Sequence, residues 1–148
     1  MSGILLTAGQ VYFLNLAFKN QTPGDLYMGL HTKGDLTSAN LGMQLGDTGF
    51  LEVTGTDYAR IPLVRDTDWT VTSETPAGVQ LATSVVKTFT AGAGGWTDVN
   101  GYFVALSGVA TTLDAIWAES FDVPRQGIKL EGDSVKVIAK FEMKDDSE

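Results

Sequence analysis

The chain has 148 residues, a formal net charge of −8, 43% hydrophobic residues and no cysteine. The missing thiols exclude disulfides, thiolate catalysis and cysteine-ligated zinc or iron–sulfur centres. The acidic balance is wrong for gripping a phosphate backbone, so no nucleic-acid partner is expected. The length suits a single domain, 1–148, with a buried core. No stretch approaches a transmembrane span, and MSGILLTAGQ lacks the basic and long apolar regions of a signal peptide. No membrane partner is expected, and synthesis in a cytoplasm is.

Residues 1–6 read as an N-terminal arm. Ile4, Leu5 and Leu6 are three consecutive apolar residues and are expected to meet a partner. The competing reading is a hydrophobic staple onto the chain's own helix. Thr7-Ala8-Gly9-Gln10 has the form of a capping box, and 7–20 reads as one short helix. Val11, Leu14 and Phe18 mark one apolar face at i, i+3, i+7. Tyr12, Phe13 and Leu16 make the other side apolar as well, so the helix is either deeply buried or meets a partner. Asn20 suits the stop.

Thr22-Pro23-Gly24-Asp25 reads as a turn and Leu26–His31 as a strand. The polar stretch 33–49 reads as a long loop, of the length that is usually functional or mobile. Phe50–Val53 and Tyr58–Val64 read as strands, the second confined to an edge or broken by Pro62. Trp69 lies in a short polar context, Val79–Phe89 offers one or two strands, and Ala91–Gly95 is a glycine-rich hinge. Tyr102, Phe103, Val104 and Leu106 leave no wet face, as in a central strand. From Leu113 the chain reads as a strand, a turn and a short strand. A Glu131-Gly132-Asp133 turn then leads to a long strand from Ser134 to Met143. That strand alternates, with Val135, Val137, Ala139, Phe141 and Met143 facing inward and Lys136, Lys140, Glu142 and Lys144 outward. Residues 144–148 form an acidic tail. Many short strands after one helix predict a mainly β protein, a single β-sandwich of jelly-roll or Ig-like type with one short N-terminal helix.

Little in the chain suggests chemistry. The one histidine, His31, has no nucleophile or metal partner in a recognisable motif and reads as a surface or turn residue. Asp66-Thr67-Asp68 and Asp145-Asp146 are too sparse for a calcium loop. Ala91–Trp96 lacks the Lys-Ser/Thr of a phosphate loop. Trp69, Trp96 and Trp117 would suit either a sugar-stacking platform or core and interface anchors. No catalytic, cofactor-binding or metal-ligating residue is assigned, and no cofactor is expected. The residues expected at an interface are Ile4, Leu5, Leu6, Tyr12, Phe13, Leu16, Trp117 and Ile138.

The order of several motifs resembles a family of small tailed-bacteriophage virion proteins. Leu26–Thr32 resembles its LYVGLHT strand. Gly49–Arg60 resembles an element with Glu, Gly and a closing Tyr-Ala-Arg, here Glu52, Gly55 and Tyr58-Ala59-Arg60. Trp96–Ala105, then Trp117, Pro124, Ile128, Gly132-Asp133 and the final alternating strand follow in the same order. The chain departs from simple members in its longer, more polar 33–49 loop and its acidic tail. The resemblance implies a non-enzymatic structural protein of the virion, made in the host cytoplasm. The first expectation is a capsid decoration, or cement, protein bound outside the head. It would bridge subunits of the major capsid protein and self-associate, most simply as a homotrimer. A tail, baseplate or fibre-associated protein is the alternative, and a carbohydrate-binding module a third. The contact is expected through the arm and the 33–49 loop.

Overall fold

The computed structural model describes residues 3–74, 79–96, 98–110, 113–125, 128 and 130–144. Within them the fold is mainly β, with one α-helix and several antiparallel sheets, as expected of a β-sandwich with one short helix. The elements in order are β1 (Ile4–Leu5), α1 (Thr7–Phe18), β2 (Leu26–His31), a 3-10 turn (Ser38–Asn40), β3 (Ile61–Leu63), β4 (Trp69–Glu74), β5 (Val79–Ser84), β6 (Lys87–Thr90), β7 (Val99–Ala105), β8 (Ala115–Arg125), β9 (Ser134–Val137) and β10 (Lys140–Lys144).

The main sheet has the order β1-β8-β7-β2-β3. β7 sits at its centre, and Tyr102 through Ala105 are all buried, as their unbroken apolar run predicts. β3 lies on the edge, where Pro62 removes no ladder hydrogen bond. The Phe50–Val53 segment forms only a bridge, at His31 and Glu52.

The second layer holds β10-β5-β4 and β6-β9. The expected single strand 134–143 is therefore two strands, and the break has a local cause. Thr83 pairs with Lys140 and Lys87 with Val137, so Ser84, Val85 and Val86 oppose only Ile138 and Ala139. That one-residue excess is a β-bulge, and it bends the ribbon. Ser84 mends the ladder there. Its backbone N–H donates to Ala139 O, and its hydroxyl accepts the Ala139 N–H, both at 2.9 Å. The inward alternation survives the bend: Val135, Val137 and Ala139 are buried, and Phe141 is half-buried between Trp69 and Trp117. The Met143 side chain and the 145–148 tail lie outside the described residues.

Each face of the main sheet has its own core. One, including Met28, Leu30, Val104 and Ile116, packs against Phe89, Val135, Val137 and Ala139 of the second layer. The other, including Ile4, Phe103 and Ala118, is covered by Leu36, Leu45 and Phe50. The 33–49 segment is thus a lid on the sheet, with Leu36 and Leu45 turned inward and much of its outer side exposed. Its polar residues serve its own turns: Thr37 N–H donates to Asn40 Oδ1, and Gln44 N–H to Asp47 Oδ2, each at 2.8 Å.

The helix differs from expectation at its start. Leu6 is the N-cap, with no side-chain cap bond, and Thr7 donates its hydroxyl to Leu41 O at 3.0 Å. Leu6 is pinned instead, fully buried with its N–H on Ile116 O. At the other end Asn20, at φ 52°, adopts the left-handed conformation that stops a helix.

Candidate interaction surface

The expected arm is not free. Ile4 and Leu5 pair with Ala118 and Trp117 of β8, Ile4 and Leu6 are buried, and Leu5 is half-buried. These three residues are sheet and core, which corrects the arm reading. Trp117 is buried, with its ring edge-on to Phe141 at 4.7 Å. Ile138 is exposed at the bend of the second layer. Only Tyr12, Phe13 and Leu16 of the expected interface residues come together at a surface, where they form one wall of a groove.

That groove has a volume of about 550 Å³. α1 forms one side, and Leu26, Trp69, Val71 and Phe141 form floor and opposite wall. Arg65 and Asp66 lie at its edge. The size is that of pockets that hold apolar groups. Trp69 and Phe141 stack at 5.3 Å, and Tyr12 meets Phe13 edge-on at 5.5 Å, so the aromatic lining is held in place.

α1 packs on β8 through one side only. Gly9 and Tyr12 are its buried residues. A Cβ on Gly9 would lie 2.2 Å from Ile116 O, so the helix approaches β8 at a distance that only glycine permits. Val11, Leu14 and Phe18 point the opposite way and are 52%, 57% and 79% exposed. This is the apolar face that the i, i+3, i+7 spacing marks, and it is the exposed one. The helix is apolar on both sides, and only one side is covered within the chain.

Among the described residues, the cluster around Arg60 is buried and internally satisfied. Arg60 makes a bidentate pair with Glu52, Nε to Oε1 and Nη2 to Oε2, both 2.9 Å, and Nη1 donates to Asp114 Oδ1 and Ser107 O, both 2.8 Å. Its guanidinium also lies 5.0 Å from the centre of the Phe103 ring. Burial opposes its charge, but Glu52 and Asp114 outweigh that and hold its pKa above the ordinary value. The Tyr58 hydroxyl donates to Glu52 Oε1 at 2.9 Å and accepts the Leu30 N–H at 2.9 Å. Burial, then the Glu52 charge, pushes its pKa well up. Glu52, Tyr58 and Arg60 of the Gly49–Arg60 element are therefore a clamp that ties the lid's exit to β2 and to the β7–β8 connection.

His31 is fully buried, which corrects its reading as a surface residue. The Lys33 N–H donates to Nδ1 at 3.1 Å, so Nε2 carries the proton and donates to Glu119 O at 2.9 Å. Burial pushes its pKa down to about 4. The expected Asp66–Asp68 turn is closed by Asp68, whose Oδ2 accepts from Val64 N–H at 2.7 Å and Lys87 Nζ at 2.8 Å. Ala91–Gly95 is a hydrogen-bonded turn and not a hinge, with Gly92 N–H on Thr56 O and Gly95 N–H on Gly92 O. Of the tryptophans, Trp96 and Trp117 are buried and Trp69 half-buried, so they form no shared exposed platform.

Compared with known proteins, the chain matches no family model, no curated protein and no solved structure.

Proposed function

We propose that this chain is a non-enzymatic structural protein of a tailed-phage virion. In this reading it decorates the outside of the head, contacts the major capsid protein and self-associates. The observation that carries the reading is the uncovered apolar face of α1, Val11, Leu14 and Phe18, beside an open aromatic groove. A contiguous apolar patch of this kind suits a protein that works inside an assembly. The motif order from Leu26 to Val135 supplies the virion context. The motif residues Glu52, Tyr58 and Arg60 lie in the framework, which fits a motif that marks a fold. The binding surface in this reading is α1 and its groove, since Ile4 and Leu6 of the arm are buried in the sheet.

The test is copy number and position in purified particles. A decoration protein is present on the order of hundreds of copies per head and raises the heat resistance of the shell by mass action. Detection only on tails, at a small multiple of three or six, supports the tail or baseplate alternative. Absence from particles overturns both.

A further inference from the structure

We infer that the 33–49 lid is an acid-sensitive flap: protonation of His31 releases the base of the lid and uncovers the apolar face of the main sheet beneath it. The inference concerns the fold of the single chain and does not rest on the virion reading.

The geometry carries it. The lid leaves β2 at Lys33 and returns at Phe50, and both ends lie against the His31 imidazole. Just outside them the neck is closed by the Thr32 N–H on Leu51 O at 3.0 Å, without the imidazole. Two side chains of the main sheet pin the lid's entry. Ser120 donates its hydroxyl to Lys33 O at 2.7 Å and accepts the Leu36 N–H at 3.1 Å. His31 accepts the Lys33 N–H at Nδ1. Farther along, Leu41 O accepts the Thr7 N–H at 3.0 Å. A proton on Nδ1 turns that acceptor into a donor and sets it against the Lys33 N–H. Nε2 already donates to Glu119 O, so a turned ring offers no acceptor either. A Cβ on Gly101 would lie 2.4 Å from Nε2, so the ring is closely packed on β7 as well.

The carboxylates around His31 are already engaged. On the lid, Lys33 adds a like charge, and its Nζ holds Asp35 at 2.8 Å. Glu52, bridged to His31 through the backbone, is held by Arg60 and Tyr58. Glu119 turns its carboxylate to the Tyr102 hydroxyl, on the face of the sheet opposite the lid. The imidazole titrates near pH 4 when covered and near 6.5 when exposed, so opening takes up a proton and acid favours it. From pH 7 to pH 5 the opening equilibrium rises about twentyfold. Asp35, held by Lys33 below the ordinary carboxylate range, titrates beneath that interval. Burial holds Glu119 above its ordinary value, so its titration has the opposite sign.

Native-state hydrogen exchange on the full chain tests this, with protection corrected for intrinsic rates. The amides of Lys33, Leu36 and Thr7 should be less protected than those of Phe103 and Val104 and insensitive to low urea. Their protection should fall about twentyfold from pH 7 to pH 5. His31→Gln should abolish that fall. The wild type gives a second readout, because His31 is the one histidine. Its imidazole nitrogen resonances should titrate together with the Leu36 and Thr7 amide signals. Lid amides that share the protection and urea dependence of β7 overturn the inference. So does a fall that persists in His31→Gln, or an imidazole that titrates while Leu36 and Thr7 stay unchanged.

Discussion

The imidazole of His31 holds the backbone of Lys33: the Lys33 N–H donates to Nδ1 at 3.1 Å, at the point where the chain leaves β2 for the lid. At the lid's far end the Phe50 ring meets the same imidazole edge-on at 5.1 Å. One neutral, buried side chain therefore touches both ends of the segment that covers the second core.

This arrangement makes stability depend on pH with a definite sign. The folded pKa of His31 is about 4, below the ordinary 6.5 of an unfolded chain. Between those values the unfolded state binds more protons, so stability is full above about 6.5 and is lost as pH falls toward 4. The loss from His31 between about pH 7 and pH 5 should be about 2 kcal/mol. Urea unfolding at the two pH values checks it, and His31→Gln should flatten the dependence over that interval. Equal slopes in variant and wild type would rule His31 out as the source.

Arg60 is the second test. Its side chain is fully buried against Glu52 and Asp114. Arg60→Leu leaves two carboxylates without their cation and should cost about 3–5 kcal/mol. Arg60→Lys keeps the charge but loses the fork, and should fall between variant and wild type. Denaturation midpoints decide it.

A third prediction concerns Gly29. A Cβ there would lie 2.2 Å from Cζ of Phe103, a ring with no exposure and no room to retreat. Gly29→Ala should destabilise by about 1–3 kcal/mol through overpacking. Adding Phe103→Leu should recover part of that loss. If the pair is simply additive in a double-mutant cycle, the close approach is not the cause.

The bulge gives a fourth. Ser84→Ala removes the acceptor of the buried Ala139 N–H. A buried donor left unpaired costs about 1–3 kcal/mol. The local readout is faster hydrogen exchange at Ala139, with little change at the centre of β7.

The parts of the fold legible in the sequence are those with a single period or a single strong residue. The alternation from Val135 to Phe141 reads through its bulge because the inward side resumes in phase. Pro62 marks an edge strand for a steric reason that holds in any sheet. The helix is legible, but its orientation is not. Gly9, Tyr12 and Leu16 share the spacing of Val11, Leu14 and Phe18, so apolar periodicity has no phase to choose between them. The deciding residue is Gly9, which permits contact with β8 and carries no hydrophobic signal. The lid is hidden because Leu36, Leu45 and Phe50 follow no repeat and are buried only once the sheet exists. The groove is illegible for the same reason: Tyr12, Trp69 and Phe141 come from distant segments. The Arg60 clamp had a readable trace in Tyr58-Ala59-Arg60, but nothing local pointed to Asp114.

The pairing of Ile4 and Leu5 with Ala118 and Trp117 also bears on how the protein is made. The earliest strand of the sheet has its partner more than a hundred residues later. During synthesis β1 must wait for β8, and α1, which packs on β8, must wait with it. Contacts so distant along the chain slow folding, and in that interval both faces of α1 are uncovered. A nascent chain caught before residue 118 should therefore be a far better chaperone substrate than the finished domain.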